Sequence, residues 1–423
     1  MRERDDGGSV QLDDIDFTRL AEFGGDMPDD WFTFLRREAP VWFHPPIESA
    51  GELGGEGFWV FSRHADIFAA NRDHRTFSAE SGPGRDGGGI MIRDVNVAVG
   101  QNMIMTDPPR QQQLRQLVNL GFSPRGVRRL EEVCRKLARE LFDAVVDRGE
   151  CEFVSEIAGE VPLQIIAEIL GIPPGDRRKV FTWTNQALDD TLSEDVRLTA
   201  ITEMYKYAID FAGERRARPT DDVFSRIAIA ELTEEDGTTH RLSDLELAHF
   251  FQLIATGGSE TTRNAISGGL LAFLENPDQL ELLRRDRSLL PVAVEEILRW
   301  TSPVNYFRRT ATRDVEVRGR TIRAGEKVSL WYCSGNRDEE VFADPFRFDV
   351  RRSPNHHFAF GAGGAHYCLG ANLAKMEIEV VYDELLSRIA DIEVAGPVTR
   401  FCPAWYLNVF GGYQSLPIRF KGL

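Results

Sequence analysis

Cysteine is scarce in this chain. There are five in 423 residues, Cys134, Cys151, Cys333, Cys368 and Cys402, an odd number with no C-x-x-C pair. That argues against a zinc ribbon and a disulfide framework, so a reducing, cytoplasmic setting is expected. Long apolar runs are missing too. With no stretch of about 18 apolar residues, no membrane-spanning helix is expected. Residues 1–16 carry Asp5, Asp6, Asp13 and Asp14 and lack an apolar core. They read as an acidic, mobile tail and not as a secretory signal. Positive charge is in deficit: 50 Lys and Arg against 67 Asp and Glu leave a net charge of −17. That balance speaks against a nucleic-acid partner. Internal repeats and long Ser- or Pro-rich linkers are absent as well.

What is present is a 42% hydrophobic, 28% charged composition, enough to bury a large core. Strand patterns occur at 41–43, 58–61, 315–317 and 327–331. Helical periodicity covers 127–146, 161–170, 177–188, a long segment after Leu242, and 369–389. The fold class expected is therefore mainly α with small β-sheets (α+β). The long helix is the best-defined element. Ser243 and Glu246 form a capping box, and Asn276-Pro277 ends the pattern. About 32 residues at ~1.5 Å each would span roughly 48 Å, the width of a whole globular protein. Gly257 and Gly258 in its middle each cost ~1 kcal/mol against alanine. A kink or widened turn with free carbonyls is expected there.

Three short segments carry chemistry. In the first, Phe358 to Gly370, Cys368 opens a helix behind a loop with Gly361, Gly363 and Gly364. Amide donors at a helix start favour a thiolate, and glycines let backbone approach a flat partner. A sulfur presented in this way suits iron. A buried, inert cysteine is the alternative. The second, Glu296-Ile297-Leu298-Arg299, places opposite charges on one helix face between apolar flanks, so further buried partners are expected. In the third, Glu260-Thr261 sets a carboxylate beside a hydroxyl at the glycine pair, an arrangement able to relay protons. An exposed Glu260 and a Thr261 bonded back to its own helix is the competing reading.

In order and spacing, these segments resemble the cytochrome P-450 superfamily of haem-thiolate monooxygenases over about 17–420. Pro162-Leu163-Gln164-Ile165-Ile166, Glu260-Thr261-Thr262-Arg263-Asn264 and Gly363 to Leu373 are most similar to the actinobacterial hydroxylases of methyl-branched lipids and the cholesterol side chain. The resemblance implies a cytochrome P-450 fold with haem between the long distal helix and the proximal cysteine loop, built as one catalytic domain over 17–423. It implies Cys368 as the iron ligand and Glu260 and Thr261 as the catalytic acid–alcohol pair. Gly257, Gly258, Phe360 and Gly370 would line haem b, and Gln111, Arg115, Arg309 and His366 would hold its propionates. Glu296 and Arg299, with Arg352 as third member, would brace the cysteine loop. Two positions depart from the family frame. Gly361 stands seven residues before the cysteine, where Phe is usual, and Gln111 replaces a common His.

The activity implied is hydroxylation of an apolar substrate, a lipid, isoprenoid or steroid side chain, with O2 and two electrons. A tailoring oxidase of polyketide, terpene or carrier-bound peptide biosynthesis is the alternative. A peroxide-using haem enzyme or a non-catalytic haem or ligand carrier comes after that. Electrons from NADH or NADPH would arrive through a separate ferredoxin and its reductase. The locally basic stretch from Arg110 to Arg139 would dock an acidic ferredoxin. Substrate contacts are expected from 87–101, 181–211, Ala255, 304–307 and 409–410.

Overall fold

The computed structural model describes residues 10–19, 27–46, 55–95, 98–189, 191–233, 237–401 and 409–423, excluding the side chains of Leu120 and Phe401. Cys402 and the first nine residues of the acidic segment lie outside the described residues. The expected strands at 41–43, 58–61 and 327–331 join one five-stranded sheet, while 315–317 pairs with 320–322 in a separate two-stranded sheet. The members of the larger sheet are β1 (Val41–His44), β2 (Phe58–Phe61), β3 (Phe77–Ser78), β4 (Tyr306–Ala311) and β5 (Lys327–Trp331), in the order β1-β2-β5-β4-β3. Only the β5–β2 pairing is parallel. Every residue of β2 and β5 is buried, which accounts for the unbroken apolar run of β2, while in β5 the buried Lys327 and Ser329 interrupt it. Phe17 stacks on Trp331 with ring centroids 4.6 Å apart, and Ile15 is also buried. Residues 12–14 form a 3-10 turn, so the end of the acidic segment is tied to this core.

Six helices matter for the site: α1 (Arg110–Phe122), α2 (Pro124–Val146), α3 (Glu160–Leu170), α4 (Asp244–Glu275), α5 (Leu290–Thr301) and α6 (Ala371–Arg388). The long helix α4 has 32 residues and the expected capping box. The Glu246 amide donates to Ser243 Oγ at 3.2 Å, and the Ser243 amide donates to Glu246 Oε2 at 2.8 Å. The expected kink is not found: α4 is unbroken α-helix through Gly257 and Gly258. Tertiary packing explains the second glycine better than helix weakness does. A Cβ at Gly258 would lie 2.3 Å from Ile166 Cδ1 on α3, so the residue permits close helix contact.

The Glu296–Arg299 pair is buried as expected, both side chains 0% exposed. Arg299 Nε and Nη2 donate to the Glu296 carboxylate at 2.7 and 2.8 Å. Arg352 Nε reaches the same carboxylate at 3.2 Å, with Asn355 Nδ2 and the Asp349 amide. Arg299 also donates to the Asn336 carbonyl at 2.9 Å, and Asn336 Oδ1 accepts from the Phe358 amide at 2.6 Å. The cluster thereby grips the start of the cysteine loop. Replacing Glu296→Gln should destabilise the protein by about 3–5 kcal/mol, because two arginines lose their counter-charge in a dry site. Urea unfolding of both proteins measures that difference.

Candidate active site

The loop before α6 is shaped by left-handed glycines. Gly361, Gly363 and Gly364 have φ of +80°, +82° and +77°. At Gly364 a Cβ would also lie 2.9 Å from the Asn71 carbonyl oxygen. The loop closes with the Cys368 amide donating to the Phe360 carbonyl at 3.0 Å. Cys368 opens onto an internal cavity of about 290 Å³ together with Phe360, Gly361, His366 and Gly370. Enclosure by protein pushes its thiol up from the ordinary value, while the Gly370 amide and the Arg115 charge pull it down.

One end of the cavity collects donors and positive charge. Arg115 Nη1 donates to the Tyr367 carbonyl at 2.7 Å, and Gln111 Nε2 to the Ala365 carbonyl at 2.8 Å. Arg309 donates to Asn71 Oδ1 at 3.1 Å and to the Arg308 carbonyl at 2.8 Å. Burial, then Arg309, Arg115 and His74, push His366 down to about 3. Buried His366 Nε2 and Gln111 Oε1 meet no hydrogen-bond partner among the described residues. Arg115, Gln111 and His366 line the cavity, while Arg309 is buried close to His366 without lining it, and the positive charge of the two arginines at this end favours anionic oxygens.

Helix α4 forms the opposite wall with Gly257, Gly258, Thr261 and Thr262. A Cβ at Gly257 would meet nothing within 4 Å, so this face borders the cavity itself. Thr261 Oγ1 donates to the Gly257 carbonyl at 2.9 Å. Glu260 is not brought to the cavity wall beside it: one residue on turns the helix by about 100°, and Glu260 is buried against Arg263 in an ion pair. Burial raises its carboxyl above the ordinary range, against the pull of Arg263.

The walls include Ile90, Met91, Val304, Phe307, Val409 and Phe410 from the expected segments. Among the described residues of 181–211 only Leu188 contributes, and Ala255 does not, while neighbouring Leu253 and Ile254 do. Met103, Ile104 and Met105 lie just beyond the expected range, where their apolar run was the available signal. Glu377 on α6 was not anticipated. It lines the cavity at 0% exposure, and neither carboxyl oxygen is hydrogen-bonded, although Thr262 bears on it loosely. Burial raises this carboxyl well above its ordinary value.

Among the described residues no three His, Cys, Asp or Glu converge on a common point. A metal here would depend on one thiol and on ligands brought by a cofactor. A flat iron porphyrin fits that description: sulfur at one wall, glycine at the other, and anion-seeking donors at the end.

A helical fold around a thiol-walled, apolar cavity with a cationic end defines a haem-dependent oxygenase. The family model for cytochrome P450 matches residues 188–390. The chain is 42% identical to a methyl-branched lipid omega-hydroxylase of Mycobacterium bovis, covering 97% of this chain and 94% of that protein. It is 36% identical to a steroid C26-monooxygenase of Rhodococcus jostii, over 95% of this chain and 84% of the relative. A Mycobacterium marinum cytochrome P450 solved with pseudoionone superposes with a TM-score of 0.85 at 36% identity, covering 94% and 97% of the two chains. The chain belongs to the cytochrome P450 family and is a cytochrome P450 monooxygenase, whose family cofactor is haem. No helix among the described residues is long and apolar enough to cross a membrane.

The buried acid gives a pH test. The folded-state pKa of Glu377 is raised, so its stabilising effect is present below the ordinary carboxyl value of 4.5 and is lost as pH rises towards the folded value. Glu377→Gln removes this titration. From pH 5 to 8 the variant should gain on the parent by about 1.4 kcal/mol per pH unit until the folded value is passed. Urea unfolding at several pH values reads the slope, and a flat difference would mean that Glu377 is ionised in the folded protein.

Proposed function

We propose that the chain hydroxylates an apolar lipid, of the methyl-branched fatty or steroid side-chain class, within a single catalytic domain. The single observation that carries this reading is the Cys368 cavity, apolar at the Ile90–Phe307 side and cationic at the Arg115 side, with Arg309 buried close to His366. The names of the M. bovis and R. jostii relatives support the same substrate class.

Haem bound in the cavity supplies O2 activation and insertion of one oxygen atom into a C–H bond. Cys368 would hold its iron through sulfur, Arg115, Arg309, His366 and Gln111 would hold its propionates, and Phe360, Gly370, Gly257 and Gly258 would pack against its faces. Thr261 delivers protons from its hydroxyl, which turns from the Gly257 carbonyl into the cavity. Glu260 refills it from the Arg263 side, exchanging its ion pair for water. Ile90, Met91 and Phe307 exclude water and orient the chain of the substrate.

Electrons derive from NADH or NADPH through a ferredoxin and its reductase, docking on the α1–α2 side. Structural pairing narrows the basic stretch. Arg110 is paired with Glu246, Arg135 with Asp383, and Arg139 with Glu384. Arg125, Arg128 and Arg129 are exposed and make no ion pair among the described residues, so they form the charge available to an acidic partner. Arg128→Glu with Arg129→Glu should slow ferredoxin reduction about tenfold at low salt and flatten its salt dependence. Stopped-flow reduction at several ionic strengths measures both effects.

Turnover of a methyl-branched fatty acid and of a cholestane sterol under labelled O2 tests the reading. One labelled atom should enter a terminal carbon of the product; turnover of neither would remove the lipid assignment. Thr261→Ala should retain substrate binding but release more peroxide and less product per electron pair. Unchanged coupling would take Thr261 out of the proton route.

A further inference from the structure

The segment from Gly82 to Val95 folds over one side of the cavity and puts Ile90 and Met91 into its wall. It has little regular structure of its own. An isolated bridge joins Gly88 to Val95, and the Gly89 amide donates to the Glu80 carbonyl at 2.8 Å. A loop so lightly built needs an external anchor to present a defined wall.

That anchor is a group of five charges contributed by four distant parts of the chain. Arg308 on β4 is 0% exposed, and Lys327 on β5 is 4% exposed. Asp94 lies between them: Arg308 Nη1 reaches Asp94 Oδ1 at 2.7 Å, and Lys327 Nζ reaches Oδ2 at 3.0 Å. Arg85 pairs with Asp94 as well and grips Glu56 through both nitrogens at 2.8 and 2.7 Å. Lys327 closes the ring to Glu56. Arg85 further donates to the Gly325 carbonyl at 3.1 Å, just before β5.

Arg308 is the joint between this group and the cavity wall. Its amide donates to the Ile90 carbonyl at 2.7 Å, and its Nη1 donates to the Met91 carbonyl at 3.1 Å. Along β4, alternation sends Phe307 and Arg309 to one face and Arg308 to the other. One strand thus supplies a substrate-side ring, a loop anchor and a haem-side cation in three consecutive residues. Burial disfavours the Arg308 charge and Asp94 opposes that effect. In turn, Asp94 is held down at about 2 by Arg308 and Lys327, against its own burial. Losing Asp94 therefore leaves the buried Arg308 side chain facing only the Met91 carbonyl and the Thr310 hydroxyl, with no counter-charge in contact.

We infer that Asp94 is a positioning residue for substrate: clamped by Arg308, Lys327 and Arg85, it fixes Ile90 and Met91 in the cavity wall and so sets which apolar chain fits. The loop's shape is then a property of the ion group rather than of its own residues. This rests on reading the cavity as the substrate site.

Asp94→Asn keeps the side-chain shape and removes the charge, with Asp94→Glu as rescue and the exposed Asp391→Asn as control. Hydrogen exchange of the amides at 86–95 should speed up tenfold or more in Asp94→Asn, with α4 and α6 unchanged. Dodecanoic acid, titrated into the haem-loaded protein, should bind about tenfold more weakly, with KM raised and kcat at saturation retained. Asp94→Glu should recover most of both effects. Unchanged exchange at 86–95, a rise spread through α4, or unchanged affinity despite a loosened loop would each overturn the inference. If the parent protein does not bind dodecanoic acid, the lipid reading fails, and the exchange measurement still decides the role of Asp94.

Discussion

The buried carboxylate of Glu296 is the constraint on which the rest of the site depends. It receives Arg299, Arg352, Asn355 and an amide in a place with no water to share the charge. A group of this kind tolerates only one arrangement, because every alternative leaves a charge uncompensated. Through Arg299 and Asn336 that rigidity passes to Phe358, ten residues before Cys368. The cysteine loop can then afford three left-handed glycines without losing its shape.

The same logic operates on the other side of the cavity, with a different tolerance. The Glu296–Arg299 pair is wholly buried and braces the start of the cysteine loop; the Asp94 group is partly exposed and fixes a wall. Helix α4 stands between them as the least adjustable element, capped at Ser243 and packed at Gly258 against Ile166. Chemistry common to the family sits on the rigid side, and selectivity sits on the side held by a longer, more solvated network.

Much of this was legible in the sequence wherever the signal was local. The capping box at Ser243 and Glu246, the Glu296–Arg299 spacing and the glycine frame of Cys368 each need only neighbours in the chain to be read. The glycines at 257 and 258 misled because helix propensity is a local quantity, while their role is to admit Ile166 and to border the cavity. The burial of Glu260 against Arg263 was not legible either, since residues adjacent in sequence diverge on a helix. Glu377 was invisible for another reason. With Glu379, Asp383 and Glu384 following it on α6, it looks like one more residue of a solvated acidic face. The Asp94 group could not be read at all, because Glu56, Asp94, Arg308 and Lys327 meet only through the order of the sheet.

The central claim is that Cys368 is the sulfur ligand of a haem iron. Absorbance of the reduced protein under carbon monoxide tests it most directly. The account predicts the long-wavelength Soret band diagnostic of thiolate ligation, and its loss in Cys368→His under conditions where haem is retained. A carbon-monoxide spectrum of the ordinary nitrogen-ligated type in the parent protein, or an unaltered thiolate band in Cys368→His, would contradict it.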